Sequence, residues 1–365
     1  MQARIERPLK NFQILGWLVA FCVFLAACGG GGDSSGTFSP STPPSTLPPT
    51  QTPTQTPTQT PTQTPTQPPT VIPPPGITAH IVKIDPSVCP EIAVYVSVTD
   101  QNNETVLGLT DQNFQLLEDG VEHPLDVSYA DIVTESIVFS LTMDYTLSLE
   151  DQDLVKVEEA ASYFVNELFR LTSANQLDNW GEIVKFVRQA ETIQEFTNIE
   201  DDLIAGIETL PAERGVTGTY LYDAIGNSIG SLTAFRNAPP TDNIPKRSIL
   251  IVITDGLDTA SKVYDIPKII ADANAGEIEI ITIGIGSDID AQVLYEIANG
   301  TGGWYFFAPT TDDLLTIFTQ FLDNLKNQYV LKYTTNDPGN PNMVEVFVNT
   351  ADGNSSDLKD FDACQ

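Results

Sequence analysis

Apolar and polar residues alternate with a period of two on both flanks of the chain's central part. A period of two is typical of strands with one buried face. The alternating stretches are Ile81 to Ile84, Ile92 to Val98, Phe114 to Leu116, Leu125 to Tyr129, Tyr329 to Thr334 and Val344 to Val348. Turn-forming pairs at Asn102-Asn103 and Asp119-Gly120 predict hairpins. Both flanks are therefore expected to contribute to one small antiparallel β-sandwich module.

Between these flanks, mainly apolar stretches alternate with stretches of helical spacing. The predicted strands are Ile137 to Met143, Ile183 to Val187, Ile249 to Ile253, Ile278 to Ile283 and Trp304 to Phe307, of which Ile249 to Ile253 is a continuous apolar run. The helical stretches are Asp151 to Leu171, Ile199 to Leu210, Tyr220 to Phe235, Pro267 to Ala275, Ala291 to Ala298 and Leu314 to Leu325. Apolar strands that alternate with helices indicate an α/β fold with a doubly wound, mostly parallel sheet. We predict about six strands and about six helices, inserted in the β module.

The N-terminus carries the features of an export signal. Arg4, Arg7 and Lys10 precede an apolar run from Ile14 to Leu25, which is too short to span a bilayer. The run ends in Leu25-Ala26-Ala27-Cys28, which resembles the lipobox of bacterial lipoproteins. The resemblance implies acylation of Cys28, cleavage before it and a lipid anchor in the cell envelope, with Gly29 favouring the outer membrane. An ordinary secretory cleavage beside a chance cysteine is the alternative.

A proline-rich segment follows the predicted cleavage site. Fourteen of the 26 prolines lie between Pro40 and Pro75, and four Gln-Thr-Pro-Thr units run from Gln51 to Thr66. Such a sequence cannot build a core and favours polyproline II, so we expect a disordered, semi-rigid stalk. The stalk either holds the following domains well away from the bilayer or is a neutral tether whose length does not matter. The predicted parts are a signal peptide (1–27), the stalk (28–76), the β module (77–134 and 327–365) and the α/β domain (135–326).

Charge excludes one class of partner. The chain has 17 basic and 49 acidic residues and a formal net charge of −32. Binding to the phosphates of nucleic acid requires a basic surface, so nucleic acid is not an expected partner.

Polar oxygen ligands follow the predicted strands at the positions where ligands bind in doubly wound sheets. Asp144, Thr146 and Ser148 come after the first apolar run, Thr219 precedes a helix, and Asp255 follows the run that ends at Ile253. This set offers two carboxylates and three hydroxyls. Such ligands suit Mg²⁺, with Mn²⁺ or Ca²⁺ as alternatives, and argue against zinc and copper.

The motif Asp144-x-Thr146-x-Ser148, together with Thr219 and Asp255, resembles the metal-ion-dependent adhesion site of a von Willebrand factor A domain. Similar motifs extend the resemblance over about residues 135 to 326. Thr146 stands where the family usually has serine, and its hydroxyl can also coordinate. The resemblance implies that an acidic residue of a protein or peptide partner completes the ion's shell. A degenerate domain, in which these residues only cap strand ends, is the alternative.

The sequence contains no convincing motif of a hydrolase or of a nucleotide-binding enzyme. Gly226-Asn227-Ser228-Ile229-Gly230 matches the hydrolase expression G-x-S-x-G, but it lies in a helical stretch instead of after a strand. No histidine follows His123, so a hydrolase triad in the order Ser, Asp, His cannot form. A phosphate-binding loop of the form G-x-x-x-x-G-K-[ST] is also missing from the sequence. We expect a binding protein and no catalytic residues.

Two cysteines remain after the signal peptide and Cys28 are accounted for. Cys89 precedes one strand of the predicted β module and Cys364 follows its last strand. In an oxidising compartment we expect these two to form a disulfide, and two free thiols are the alternative. The sequence thus predicts a stalked lipoprotein that binds an acidic partner through a divalent cation. A metal-independent structural scaffold of an envelope assembly is the alternative function.

Overall fold

The structure is a computed structural model that describes residues 76–364 except 132, 134, 147–148, 174, 210–217 and 239–246. The predicted signal peptide, Cys28 and all but the last residue of the predicted stalk lie outside the described residues. Within the described part of the chain, no helix combines the length and the apolar character that crossing a membrane requires.

The described residues form strands and helices in an order that separates two flanks from an alternating centre. The strands are β1 (Ile77–Val88), β2 (Glu91–Asp100), β3 (Phe114–Glu118), β4 (Val121–His123), β5 (Asp126–Asp131), β6 (Ile137–Asp144), β7 (Trp180–Phe186), β8 (Ala190–Thr197), β9 (Arg247–Thr254), β10 (Ile278–Ile285), β11 (Tyr305–Ala308), β12 (Asn327–Thr334), β13 (Asn342–Thr350) and β14 (Gly353–Phe361). The helices are α1 (Asp151–Ser173), α2 (Glu200–Glu208), α3 (Leu221–Asn237), α4 (Ile266–Ala275), α5 (Ala291–Gly300) and α6 (Leu314–Lys326).

The central part is one six-stranded sheet in the order β11-β10-β9-β6-β7-β8. Neighbouring strands from β11 to β7 are parallel, and only the edge strand β8 is antiparallel. Every residue of β6 and β9 is buried, as expected for parallel strands covered on both faces. The predicted doubly wound α/β fold is confirmed.

Strand β8 is a difference from the sequence prediction, which placed no strand between β7 and α2. Its sequence, Ala-Glu-Thr-Ile-Gln-Glu-Phe-Thr, has no continuous apolar run. An edge strand has a neighbour on one side only and leaves much of its surface in water. The pattern expected of a buried parallel strand was therefore missing.

Two apolar layers cover the sheet. One contains Phe164 of α1, Leu203 of α2 and Phe318 of α6. The other contains Ile225 of α3, Ile269 of α4 and Leu294 of α5. Because three helices cover each face, the strand ends are the part of the sheet that remains open for a ligand.

The flanks form two four-stranded sheets, in the orders β1-β2-β12-β5 and β14-β13-β3-β4, with antiparallel pairing throughout. Each sheet combines strands from both sides of the α/β domain, and β12 begins at the residue after α6. Asp119-Gly120 makes the predicted hairpin turn, with φ of 49° and 79°. The hairpin turn predicted at Asn102-Asn103 is also present, because the chain turns back there and Thr105 bridges Thr99 in antiparallel orientation. The N–H of Asp100 donates to the carbonyl of Glu104 at 2.9 Å.

A group of buried and half-buried charged side chains joins the β module to the central sheet. Arg247 of β9 donates two hydrogen bonds to Glu279 of β10, at 2.9 and 2.6 Å. His80 of β1 lies 3.9 Å from Glu279 and 3.2 Å from Asp357 of β14. Burial alone would raise the pKa of Glu279, but the charges of Arg247 and His80 hold it below its ordinary value. These contacts fix the module against the N-terminal ends of the parallel strands, at the opposite end from Asp144 and Thr254.

Cys89 and Cys364 are joined by a disulfide that spans 275 residues of sequence, with Cα atoms 5.9 Å apart. The bond links the turn between β1 and β2 to the segment after β14. It therefore closes the module around the whole inserted domain.

Removal of this bond is expected to destabilise the folded chain. Loop-closure entropy alone predicts a loss of about 5 kcal/mol as an upper bound for the double variant Cys89→Ser/Cys364→Ser. Urea unfolding of oxidised wild type, reduced wild type and the variant measures this loss. Intact mass after alkylation without reductant is the control, and two alkylated thiols on Cys89 and Cys364 in oxidised protein would contradict the pairing.

A second stability prediction concerns Glu182, whose side chain is fully buried in β7. Ser231 of α3 donates a hydrogen bond of 2.7 Å to its carboxylate. Burial raises the pKa of Glu182 from 4.5 to about 7, and hydrogen bonds from Ser140 and Ser231 oppose this only in part. The folded chain thus binds this proton more tightly than the unfolded chain, so the free energy of unfolding falls as the pH rises between about 5 and about 8.

The variant Glu182→Gln is expected to remove this dependence. At pH 8 it should be more stable than wild type by about 3 kcal/mol at most, and at pH 4 the difference should shrink towards zero. Chemical unfolding across this pH range measures the effect, with the exposed Glu208→Gln as the matched control. A stability difference that does not change with pH would show that ionisation of Glu182 is not its cause.

Candidate functional site

The two central strands β6 and β9 end side by side at the same edge of the sheet. They pair in parallel from Ile137 opposite Arg247 to Met143 opposite Ile253. The chain leaves β6 towards α1 on one face and leaves β9 towards α4 on the other. A crevice opens where neighbouring strands connect to opposite faces, and ligands of doubly wound sheets bind there.

Asp144, the last residue of β6, receives hydrogen bonds from both strand ends. The hydroxyl of Thr254, the last residue of β9, donates to Oδ2 of Asp144 at 2.7 Å. The backbone N–H of Thr146 donates to Oδ1 at 3.0 Å. The hydroxyl of Thr146 in turn lies 3.5 Å from Oδ1 of Asp255. These contacts join Asp144, Thr146 and Asp255 into one polar cluster.

Tyr145 anchors the segment between the two predicted ligands Asp144 and Thr146. Its N–H donates to the carbonyl of Phe186 at 3.0 Å, which extends the pairing of β6 with β7 beyond the strand end. Its ring is buried, and its hydroxyl donates to Glu158 of α1 at 2.8 Å. The side chains on either side are therefore held at the crevice.

Thr219 approaches the cluster from the start of α3. Its hydroxyl oxygen lies 3.5 Å from the position that a Cβ atom would take on Gly256, next to Asp255. Its N–H donates to the hydroxyl of Thr259 at 2.9 Å, and its carbonyl accepts from the N–H of Thr259 at 3.0 Å. Thr219 thus lies against the same loop that carries Asp255.

The electrostatics of the cluster fit a cation. Asp144 and Asp255 are 1% and 7% exposed, so two carboxylates share a site with little solvent. Burial, followed by the negative charge of Asp255, raises the pKa of Asp144 to about 6, although hydrogen bonds from Thr254 and Thr146 lower it. A divalent cation between the carboxylates would offset both the burial and the repulsion. The donors are all oxygen atoms, which suits a hard cation.

The structure brings Asp144, Thr146 and Asp255 into direct hydrogen-bonded contact and places Thr219 beside them. Ser148, the remaining predicted metal ligand, lies outside the described residues. Among the described residues, no three His, Cys, Asp or Glu side chains group as a metal site would require. The candidate centre instead combines two carboxylates with hydroxyls.

Sequence reasoning missed the contribution of Thr254. The sequence predicts no role for it, whereas its hydroxyl donates a hydrogen bond to one oxygen of Asp144. Its place at the end of an apolar run was the available signal, since β6 and β9 both end at this edge. Thr259 gave no signal, because it lies in a loop and its contact with Thr219 is a tertiary one.

The serine of the G-x-S-x-G match lies inside a helix. Ser228 is buried within α3, and its hydroxyl shares a 2.8 Å hydrogen bond with that of Thr142. A nucleophile needs an exposed turn after a strand, so the prediction that this match is not a nucleophile elbow agrees with its position.

Three solved structures illustrate what this chain is similar to. Proximal thread matrix protein 1 from the mussel byssus is 12% identical, with 57% of this chain and 50% of that chain covered and a TM-score of 0.42. This chain therefore spans half the length of the mussel protein. A von Willebrand factor type A protein from Catenulispora acidiphila is 11% identical, with coverages of 79% and 73% and a TM-score of 0.40. The conserved hypothetical protein BatB from Bacteroides thetaiotaomicron is 19% identical, with coverages of 52% and 98% and a TM-score of 0.38.

Sequence comparison gives a family for the central domain. No curated protein sequence matches this chain. The family described as von Willebrand factor type A domain matches residues 140–320, which run from within β6 to within α6 and include β9. The chain therefore contains a von Willebrand factor type A domain.

Proposed function

We propose that the protein is an envelope-anchored lipoprotein that binds a protein or peptide partner through a divalent cation. One observation carries the proposal: the hydrogen-bonded cluster of Asp144, Thr146 and Asp255 where β6 and β9 end. Domains of this family commonly bind a divalent cation at a metal-ion-dependent adhesion site and often mediate protein interactions. The proposal assigns this role to the cluster.

The proposed ligands fall into two groups, neutral hydroxyls and charged carboxylates. Thr146, Ser148 and Thr219 would bind the ion directly through hydroxyl oxygens, and Asp144 and Asp255 would act in part through water. When bound, the ion supplies a Lewis-acidic position that can accept a carboxylate oxygen from the partner. Because hydroxyls neutralise none of its charge, the ion would keep its attraction for that acid. We propose Mg²⁺ first, with Mn²⁺ and Ca²⁺ as alternatives.

The protein's own charge strengthens the need for a cation. At a net charge of −32, the surface repels an acidic partner at long range. A local divalent charge in a crevice of low exposure would reverse this repulsion at short range. Binding should therefore depend on the cation and should favour partners that present a single accessible Glu or Asp.

The anchor and the stalk are the second part of the proposal. Acylation at Cys28 would hold the chain at the membrane, since two or more acyl chains give lasting attachment. The stalk would then carry the binding domain away from the bilayer, with the outer membrane as the expected location. We propose no catalytic activity. The alternative function is a structural scaffold of an envelope assembly that uses the same fold without a metal.

Cation binding is tested with the full-length chain, purified in mild detergent and freed of metal. Calorimetric titration with Mg²⁺, and then with Mn²⁺, should give saturable one-site binding that the variant Asp255→Asn loses. The substitution removes a charge and preserves shape, so folding should survive, as circular dichroism will verify. Asp288→Asn is the matched control, because Asp288 is an exposed carboxylate after β10 at the same sheet edge. Equal binding by wild type and Asp255→Asn would contradict the proposed site.

The next prediction separates adhesion from scaffolding. An immobilised library of peptides containing one Glu or Asp should retain the protein in Mg²⁺ and release it in EDTA, because the peptide's carboxylate would complete the ion's shell. The same library with Gln or Asn in place of the acid is the control and should retain little. Retention that persists in EDTA, or that is equally strong on the Gln or Asn library, would favour the metal-independent scaffold function.

A further inference from the structure

The start of α3 lacks a local cap. Its N-cap residue, Tyr220, makes no side-chain hydrogen bond to the helix, although the first backbone N–H groups of a helix need partners. The partners come from the loop after β9. Asp258 accepts from the N–H of Tyr222 at 3.2 Å, and Ser261 accepts from the N–H of Asp223 at 3.0 Å. The loop that carries Asp255 therefore also caps the helix that follows Thr219.

The contact between this loop and Thr219 is reciprocal. Thr259 accepts from the N–H of Thr219 through its hydroxyl at 2.9 Å and donates its own N–H to the carbonyl of Thr219 at 3.0 Å. Two hydrogen bonds to one residue fix both its position and the orientation of its peptide groups. Thr259 lies only four positions after Asp255 in the sequence.

Van der Waals contacts on either side of Thr219 support the same arrangement. Gly218 has φ of 112°, and a Cβ atom there would lie 3.5 Å from Cβ of Ala260 and 3.8 Å from the hydroxyl of Thr259. On the other side, the Thr219 hydroxyl faces the backbone of Gly256. The residue is held between two segments of the one loop.

Asp223 secures the far end of this loop. One of its carboxylate oxygens accepts from the N–H groups of Val263 and Tyr264, both at 2.9 Å, and the other accepts from that of Lys262 at 3.0 Å. Although burial raises the pKa of Asp223, these backbone hydrogen bonds lower it below its ordinary value, as expected for a carboxylate held by amide donors. The loop is therefore tied to α3 at several points.

We propose that Thr259 is the positioning residue for Thr219 in the cation site. This inference rests on the proposed function. Thr219 and Asp255 come from segments 36 positions apart, and Thr259 holds them at a set separation before any ion arrives. Pre-organisation of this kind raises affinity, because the ion does not have to order its ligands. Thr259 is not itself one of the proposed ligands.

The test compares two variants in the same loop. Thr259→Val keeps the shape of the side chain and removes the hydroxyl that accepts from Thr219. Its affinity for Mg²⁺ should fall roughly tenfold, as for other residues that orient metal ligands. Ser261→Ala is the matched control, because it also removes a hydroxyl that accepts from a backbone N–H, that of Asp223 instead of Thr219. It should keep wild-type affinity.

Three readouts make the outcome unambiguous in the full-length chain. Calorimetry with Mg²⁺ gives the affinity, thermal unfolding of the metal-free protein gives the stability, and hydrogen exchange of the metal-free protein reports on the Thr219 amide. Thr259→Val should speed exchange at this amide, and Thr259→Ser should restore both affinity and protection. Unchanged Mg²⁺ affinity in Thr259→Val, or an equal loss in Ser261→Ala, would overturn the inference. If the wild type binds no cation, the proposed function fails together with the inference. If the wild type binds Mg²⁺ and Thr259→Val binds it equally well, only the inference fails.

Discussion

The parallel pairing of β6 with β9 is the constraint on which the rest of the site depends. Both strands are buried along their whole length, so they can lie only at the centre of the sheet, covered by helices on both faces. Their alignment places Asp144 and Thr254 at the same edge, where one hydrogen bond of 2.7 Å joins them. Asp255 follows at once and brings a second carboxylate into the crevice. Packing of the apolar strands thus creates the concentration of negative charge that a cation would neutralise.

The β module imposes a second constraint, which acts on the domain as a whole. Each sheet of the module contains strands from before and after the inserted domain. The module can therefore form only when the two ends of the inserted domain lie close together. The Cys89–Cys364 bond closes this arrangement covalently. The buried pair of Arg247 and Glu279 adds a polar contact at the opposite edge of the sheet from the crevice. A buried ion pair of this kind requires good geometry, which the paired hydrogen bonds provide.

The candidate site is built from backbone and hydroxyl contacts more than from charge. Tyr145 holds the turn after β6 through the core, and Thr259 holds Thr219 through a loop. Such contacts are short and directional, so they restrict the positions of ligand oxygens without adding charge. They leave the two aspartates to set the attraction for the ion. Because the loop residues position the ligands and the aspartates supply the charge, a substitution in the loop can change the geometry of the site without changing its charge.

The sequence by itself determined the class of fold and most of the candidate ligands. Continuous apolar runs can be buried only between two layers, and alternating runs only with one face in water, so periodicity separated the central domain from the module. The motif after β6 and Asp255 after β9 followed from the same strand ends. The edge strand β8 escaped prediction because exposure removes the apolar signal. Only the tertiary structure decided that Thr254 bonds to Asp144 and that Thr259 holds Thr219. These contacts join residues 110 and 40 positions apart, and no local preference records them, since they arise when strands and loops meet in space.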